Sequence, residues 1–217
     1  MKNKQAIDEN LSNLIYEAAE WRMISLLFDC PSGDWAVEVE SLEKEVRDPR
    51  LKEAAASALK EANEGLYHSI FGPGGPAPGR EVSYRNWVQP GYLISEISSF
   101  YRAFSFTPRT IETPDHVSTE AGFISYLKLK EAYAKTSNDT ESADITADAA
   151  KQFTAEHLTK VAEPLAKSLA SSGVEYLSIA AETLLERTGP DKDTKIREFL
   201  PVLTDTEDED FGCGLPT

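Results

Sequence analysis

The most suggestive polar residues of the chain are Thr113-Pro114-Asp115-His116, followed one helical turn later by Glu120. An imidazole and two carboxylates at this spacing can present donors and acceptors together at the start of a helix, beside a groove. A plain structural reading accounts for the same residues: Thr113 caps the helix, Pro114 fits its first position, and Asp115 complements the positive end of the dipole. His116 and Glu120 could also share a metal ion, which makes a helical metal-dependent enzyme the second-ranked reading. Di-iron sites in helical bundles, however, use Glu-x-x-His from two helices plus further glutamates. None of His68, His116 and His157 has a Glu three residues before it, so no metal ligands are assigned. His157 lies on an apolar stripe and reads as a satisfied, partly buried histidine.

A second candidate is the run from Gly74 to Glu81, whose glycines have P-loop spacing. Arg80 and Glu81 stand where Lys and Ser/Thr are required, Pro76 and Pro78 lack the N–H groups that would cradle phosphate, and no strand precedes the loop. It reads as a constrained surface loop. There is no Gly-x-Ser-x-Gly elbow and no cysteine with a recognisable local signature, so no catalytic residues and no cofactor are expected. Among the aromatic residues that follow, Tyr84 and Trp87 lie nearest the loop and are the best candidates to line a peptide groove.

The elements that must position these residues are helical. Leu11, Leu14, Ile15, Ala18, Trp21 and Phe28 recur at helical steps until Pro31 and Gly33. Further helices are expected over 35–46 and from Pro49 through Leu66, then a loop over 72–79. Two aromatic-rich helices follow, over 92–104 and from Val117 to Leu129, and these should form the centre of the core. The polar stretch 135–146 reads as a flexible connection between two helical halves. Beyond it come a stripe from Phe153 to Leu169, broken or restarted at Pro164, a helix over 174–185 and a last one over 191–200. No alternating strand pattern, repeat or heptad array appears. The expectation is one all-α, bundle-like domain over 1–204 and an acidic, disordered tail over 205–217.

The 217 residues include 22 Lys+Arg against 37 Asp+Glu, a net charge of −15. With 41% hydrophobic residues the chain can build a packed core unaided. The acidic excess argues against nucleic-acid binding and favours a basic partner. Glu198, Asp205, Glu207, Asp208, Glu209 and Asp210 carry six of the net negative charges, so much of the acidity is tail. No window approaches the roughly 20 apolar residues of a membrane span, and no signal-peptide stretch is seen. Cys30 and Cys213 suggest neither a disulfide framework nor a thiolate metal site. A cytoplasmic protein, monomer or homodimer, is expected.

Taken together, these segments resemble the TorD/DmsD family of cytoplasmic chaperones for molybdenum-containing redox enzymes. Arg22, Leu26, Leu27, Phe28 and Pro31 are similar to its opening helix. Leu66-Tyr67 through Phe71-Gly72-Pro73 is similar to the segment entering its Gly/Pro loop, and Val82-Ser83-Tyr84 to the segment leaving it. Pro114-Asp115-His116 with Glu120, Phe123 and Leu127 is the most specific piece, and Phe153, His157 and Leu158 resemble the start of the next helical segment. Ser83, Arg85, Asn86 and Ser105 depart from the family pattern. The resemblance implies an all-α fold and no enzymatic activity. It also implies binding of the twin-arginine leader of a catalytic-subunit precursor, held until its molybdenum cofactor is inserted. On that basis Tyr84 and Trp87 would pack the leader's apolar part, Asp115 and Glu120 would attract its arginines, His116 would fix orientation, and Pro114 would belong to the same leader-binding site.

Overall fold

The computed structural model describes residues 2–191. Nine α-helices occur among them: α1 (Lys2–Leu27), α2 (Trp35–Glu43), α3 (Pro49–Glu61), α4 (Glu64–Phe71), α5 (Pro90–Ala103), α6 (Val117–Thr136), α7 (Thr140–Phe153), α8 (Thr159–Leu169) and α9 (Glu175–Thr188). One 3-10 turn, Glu81–Tyr84, follows the Gly/Pro loop. No strand forms among the described residues, and a single antiparallel bridge pairs Arg80 with His116. The fold is all-α, as the periodicity and the resemblance both imply. No described helix is long and apolar enough to cross a membrane. The expected helix over 191–200 and the tail over 205–217 lie outside the described residues.

α1 and α6 form the central pair, with α7 beside α6, and α3 and α8 both against α9. Along α1, Leu14, Ala18 and Trp21 are buried, as is Phe28 just beyond its end, whereas Ile15, about 100° round the helix from Leu14, is half exposed. The α1–α6 seam is close because small residues line it. Ser25 donates to the Ser118 carbonyl (2.8 Å) and Ser125 to the Ala18 carbonyl (2.7 Å), while a Cβ on Gly122 would meet Ser25 Oγ at 3.1 Å. Burying these hydroxyls is tolerated because each finds an acceptor. The aromatic rings of Tyr101, Phe106, Phe123 and Phe153 stack edge-on or tilted in the centre.

Three expectations need correction. The stretch 135–146 is no flexible connection: α6 continues to Thr136, Asn138 turns the chain with φ of 56°, and Asp139 accepts from the Ser142 N–H to start α7. Its polar composition reflects the outer face of two helix ends, and Ala143 and Thr146 are buried on the inner one. The third helix is divided, because Asn63 accepts from the Leu66 N–H and caps a separate α4. Pro164 lies inside α8, and the interruption comes earlier, as a π-helical turn at Thr154–Leu158.

Candidate functional site

The Gly/Pro loop is folded back onto the start of α6. Gly72 and Gly75 sit where a Cβ would lie 2.3 Å from the His68 carbonyl oxygen and 2.2 Å from that of Ile70, so no larger residue fits. Gly79 lies against the imidazole of His116, and its carbonyl accepts from the Val117 N–H (2.8 Å). Glu81 N–H donates to the Asp115 carbonyl (2.7 Å). This short backbone ladder holds residues 114–116 extended. The cap of α6 is therefore His116 itself, not Thr113, and Pro114 lies outside the helix. Thr113 Oγ1 is buried with no hydrogen-bond partner among the described residues.

Asp115, His116 and Glu120 are all fully buried. His116 Nδ1 accepts from the Ser118 N–H (3.3 Å) and lies 2.8 Å from Ser118 Oγ, so the ring proton sits on Nε2, 3.4 Å from the Tyr67 hydroxyl. Tyr67 in turn donates to Glu112 (2.8 Å). Burial pulls the His116 pKa down to about 4, although Glu112 and Asp115 oppose it, and the ring is neutral. Asp115 is paired with Arg80, whose Nε lies 3.0 Å and 3.2 Å from its two oxygens. The Arg80 side chain remains 39% exposed. A buried carboxylate thus meets solvent only through a guanidinium from the loop.

Glu120 belongs to a different neighbourhood from His116. Neither of its oxygens accepts a hydrogen bond among the described residues, and its protonated carboxyl donates to Glu81. Burial, then the charges of Glu81 and Asp115, hold its carboxyl well above the ordinary carboxylate range against the pull of Arg85, so it stays protonated. Glu81 is fully buried and lies 2.6 Å from Arg85 Nε and 3.0 Å from His157 Nδ1. Arg85 also donates to the Glu156 carbonyl. Among the described residues, His116 and Glu120 are not brought into a common group of metal-ligating atoms, which removes the observation behind a metal-dependent enzyme at that pair.

Tyr84 and Trp87 lie on the outer side of this buried network. Tyr84 is partly buried and donates to the Pro78 carbonyl (2.7 Å), tying the 3-10 turn to the loop; burial pushes its pKa up to about 12. Trp87 is fully exposed and has a left-handed backbone, with φ of 67°. A bulky residue in that conformation is strained, and here the strain is combined with an unburied indole. Beside Tyr84 opens a groove of about 480 Å³, lined also by Arg85, Val88, Lys160, Glu163 and Pro164 among others; Trp87 does not line it.

The structure places Asp115, His116 and Glu120 buried at the start of α6 with Pro114 before it, and Tyr84 over the loop that covers them; Trp87 is fully exposed and is not joined to the other five by any contact. Arg80, Glu81, Arg85 and Tyr67 were not assigned to the site from the sequence. The i, i+4 spacing of Glu81 and Arg85 was the one signal that could have flagged an ion pair there. A family model described as nitrate reductase delta subunit matches residues 39–166, more than half of the chain and all of this site. Among curated proteins no relative matches it.

Proposed function

The chain belongs to the nitrate reductase delta subunit family, whose members are molybdoenzyme maturation chaperones associated with nitrate reductase-type subunits, and from that membership we propose that it binds the twin-arginine leader of a molybdenum-containing oxidoreductase precursor. It holds that catalytic subunit in the cytoplasm through cofactor insertion and proofreads it before export. The apolar part of the leader packs on Tyr84 and Trp87. Glu120, expected to attract a leader arginine, is buried and protonated and so offers it no charge; with Pro114 and His116 it acts from beneath the loop and the 3-10 turn.

The observation that carries this placement is Trp87, exposed and strained with no packing to offset the cost. A leader arginine reaches Asp115 by replacing Arg80. The exchange swaps one guanidinium for another, so no carboxylate is left buried and unpaired at either end of the process. Micromolar affinity corresponds to about 8 kcal/mol, which a few such anchors in a preformed groove supply.

Co-purification from the source cell, read by mass spectrometry, should recover a molybdoenzyme catalytic subunit with its leader; its absence under molybdoenzyme-inducing growth would refute the proposal. In calorimetry with the leader peptide, Trp87→Ala should weaken binding at least tenfold without changing helix content. A double-mutant cycle pairing Asp115→Asn with an Arg→Gln leader tests the exchange, and strictly additive losses would refute it.

A further inference from the structure

His157 sits on the single π-helical turn Thr154–Leu158 between α7 and α8. Such turns carry an extra residue into a helix and recur at functional sites. The imidazole is fully buried, 4.6 Å between ring centroids from Phe153 and 5.8 Å from an edge-on Phe100. Its Nδ1 is engaged by Glu81, yet Nε2 has no hydrogen-bond partner among the described residues. The histidine expected to be satisfied and partly buried is thus neither. An orphaned buried nitrogen is destabilising, and a ligand on Nε2 would relieve it.

A ring nitrogen of His157 and one carboxylate oxygen each from Glu96 and Glu156 lie within 4.8 Å of one another. Glu96 stands one turn before Phe100 on α5, so the Phe100–His157 contact brings that carboxylate towards the ring. Glu156 immediately precedes His157, and Arg85 holds its carbonyl. With Nδ1 taken by Glu81, Nε2 is the nitrogen left to bind a ligand.

We propose that Glu96, Glu156 and His157 form a binding site for a divalent first-row transition ion, zinc in the first instance, with Glu81 orienting the imidazole. An imidazole with two carboxylates suits such an ion better than calcium or magnesium, which take oxygen ligands. A carboxylate on the far ring nitrogen is the arrangement that fixes the tautomer of metal-bound histidines. Metal–ligand bonds of about 2.0–2.2 Å place tetrahedral ligands about 3.4 Å apart, so the exposed Glu96 side chain closes the remaining distance. Three protein ligands leave a fourth position open, and the ion clasps α5 to the π-helical turn.

The test uses the full chain stripped with chelator. Zinc titration by calorimetry and metal content after gel filtration should give one zinc per chain, with calcium and magnesium failing to compete. Glu96→Gln should weaken zinc at least tenfold while leaving helix content and the Tm of the metal-free protein unchanged, because Glu96 is exposed. Glu81→Gln should weaken it by about 10–100-fold. Replacing the buried His157 can unfold the chain, so Glu96→Gln is the deciding variant. No stoichiometric zinc, or zinc bound equally well by Glu96→Gln and Glu156→Gln, would overturn the site and place any ion elsewhere on this acidic chain.

Discussion

Gly79 is the residue on which the architecture of the site turns, and Gly79→Ala tests it. A Cβ there would lie 2.1 Å from His116 Nε2, 2.7 Å from Cδ2 and 2.9 Å from Cε1. The backbone of Gly79 is outside the left-handed region, so alanine adds no φ strain and the penalty is steric. The imidazole cannot easily retreat, because Ser118 holds Nδ1 and the rings of Tyr67 and Phe71 flank it at 6.4 Å and 6.1 Å. Rotating it loses the α6 cap; moving the loop breaks the Gly79–Val117 and Glu81–Asp115 hydrogen bonds. Overpacking costs about 1–3 kcal/mol and a lost cap about 1 kcal/mol, for a total of about 2–4 kcal/mol. At about 2–4 °C per kcal/mol for a domain of this size, Tm should fall by about 4–16 °C. Thermal unfolding followed by circular dichroism reads the change. Gly91→Ala is the control: nothing lies within 4 Å of its Cβ, and in the first turn of α5 it should be neutral or slightly stabilising. In a His116→Ala background the cost of Gly79→Ala should drop below about 1 kcal/mol, since the clashing ring is gone. A Tm within about 2 °C of wild type, or an equal cost in both backgrounds, would refute this account of the loop.

Two pH dependences follow from the buried groups. Glu120 is held protonated in the folded chain, so the unfolded chain releases its proton first as pH rises above the ordinary carboxylate value of about 4.5; the stability present below that pH is lost progressively up to the folded-state pKa. Glu120→Gln removes this loss, and urea unfolding should show the variant gaining on wild type between about pH 5 and 8; parallel profiles would sink the assignment. His116 titrates in the opposite sense: with a folded-state pKa near 4 against 6.5, its contribution is complete above pH 6.5 and is lost as pH falls to about 4, amounting to about 3 kcal/mol. The stability advantage of wild type over His116→Gln should shrink by that amount across the same window, and a constant difference would show that the ring is not buried neutral.

Much of the fold was readable because burial in helices leaves a periodic trace. The stripe of α1, the capped start of α3 at Pro49 and the apolar face of α6 follow from residues three and four apart. The loop was readable for a local reason as well, since four glycines and three prolines between Gly72 and Gly79 preclude a helix. Reading failed where a residue's role depends on a partner far away in the chain. Lys135 to Thr146 looked like a linker because its outward residues are polar, and only the packing of Ala143 and Thr146 against the rest shows two helix ends joined by a turn. Pro114-Asp115-His116 was recognised as special, but its cap was assigned one turn too early, because the bridge from Arg80 that extends these residues has no local signal.

The distinction is sharpest at the ionisable groups. By itself the amino-acid sequence determined an all-α chain, acidic, with a Gly/Pro loop and a family pattern spread over most of its length. Tertiary structure alone decided that Asp115 is paired with Arg80, that Glu120 is protonated beside Glu81, and that His157 offers one unpartnered nitrogen near Glu96 and Glu156. Helical periodicity is a property of neighbours within a few residues, whereas the charge state of a buried group depends on which distant side chains share its water-free surroundings.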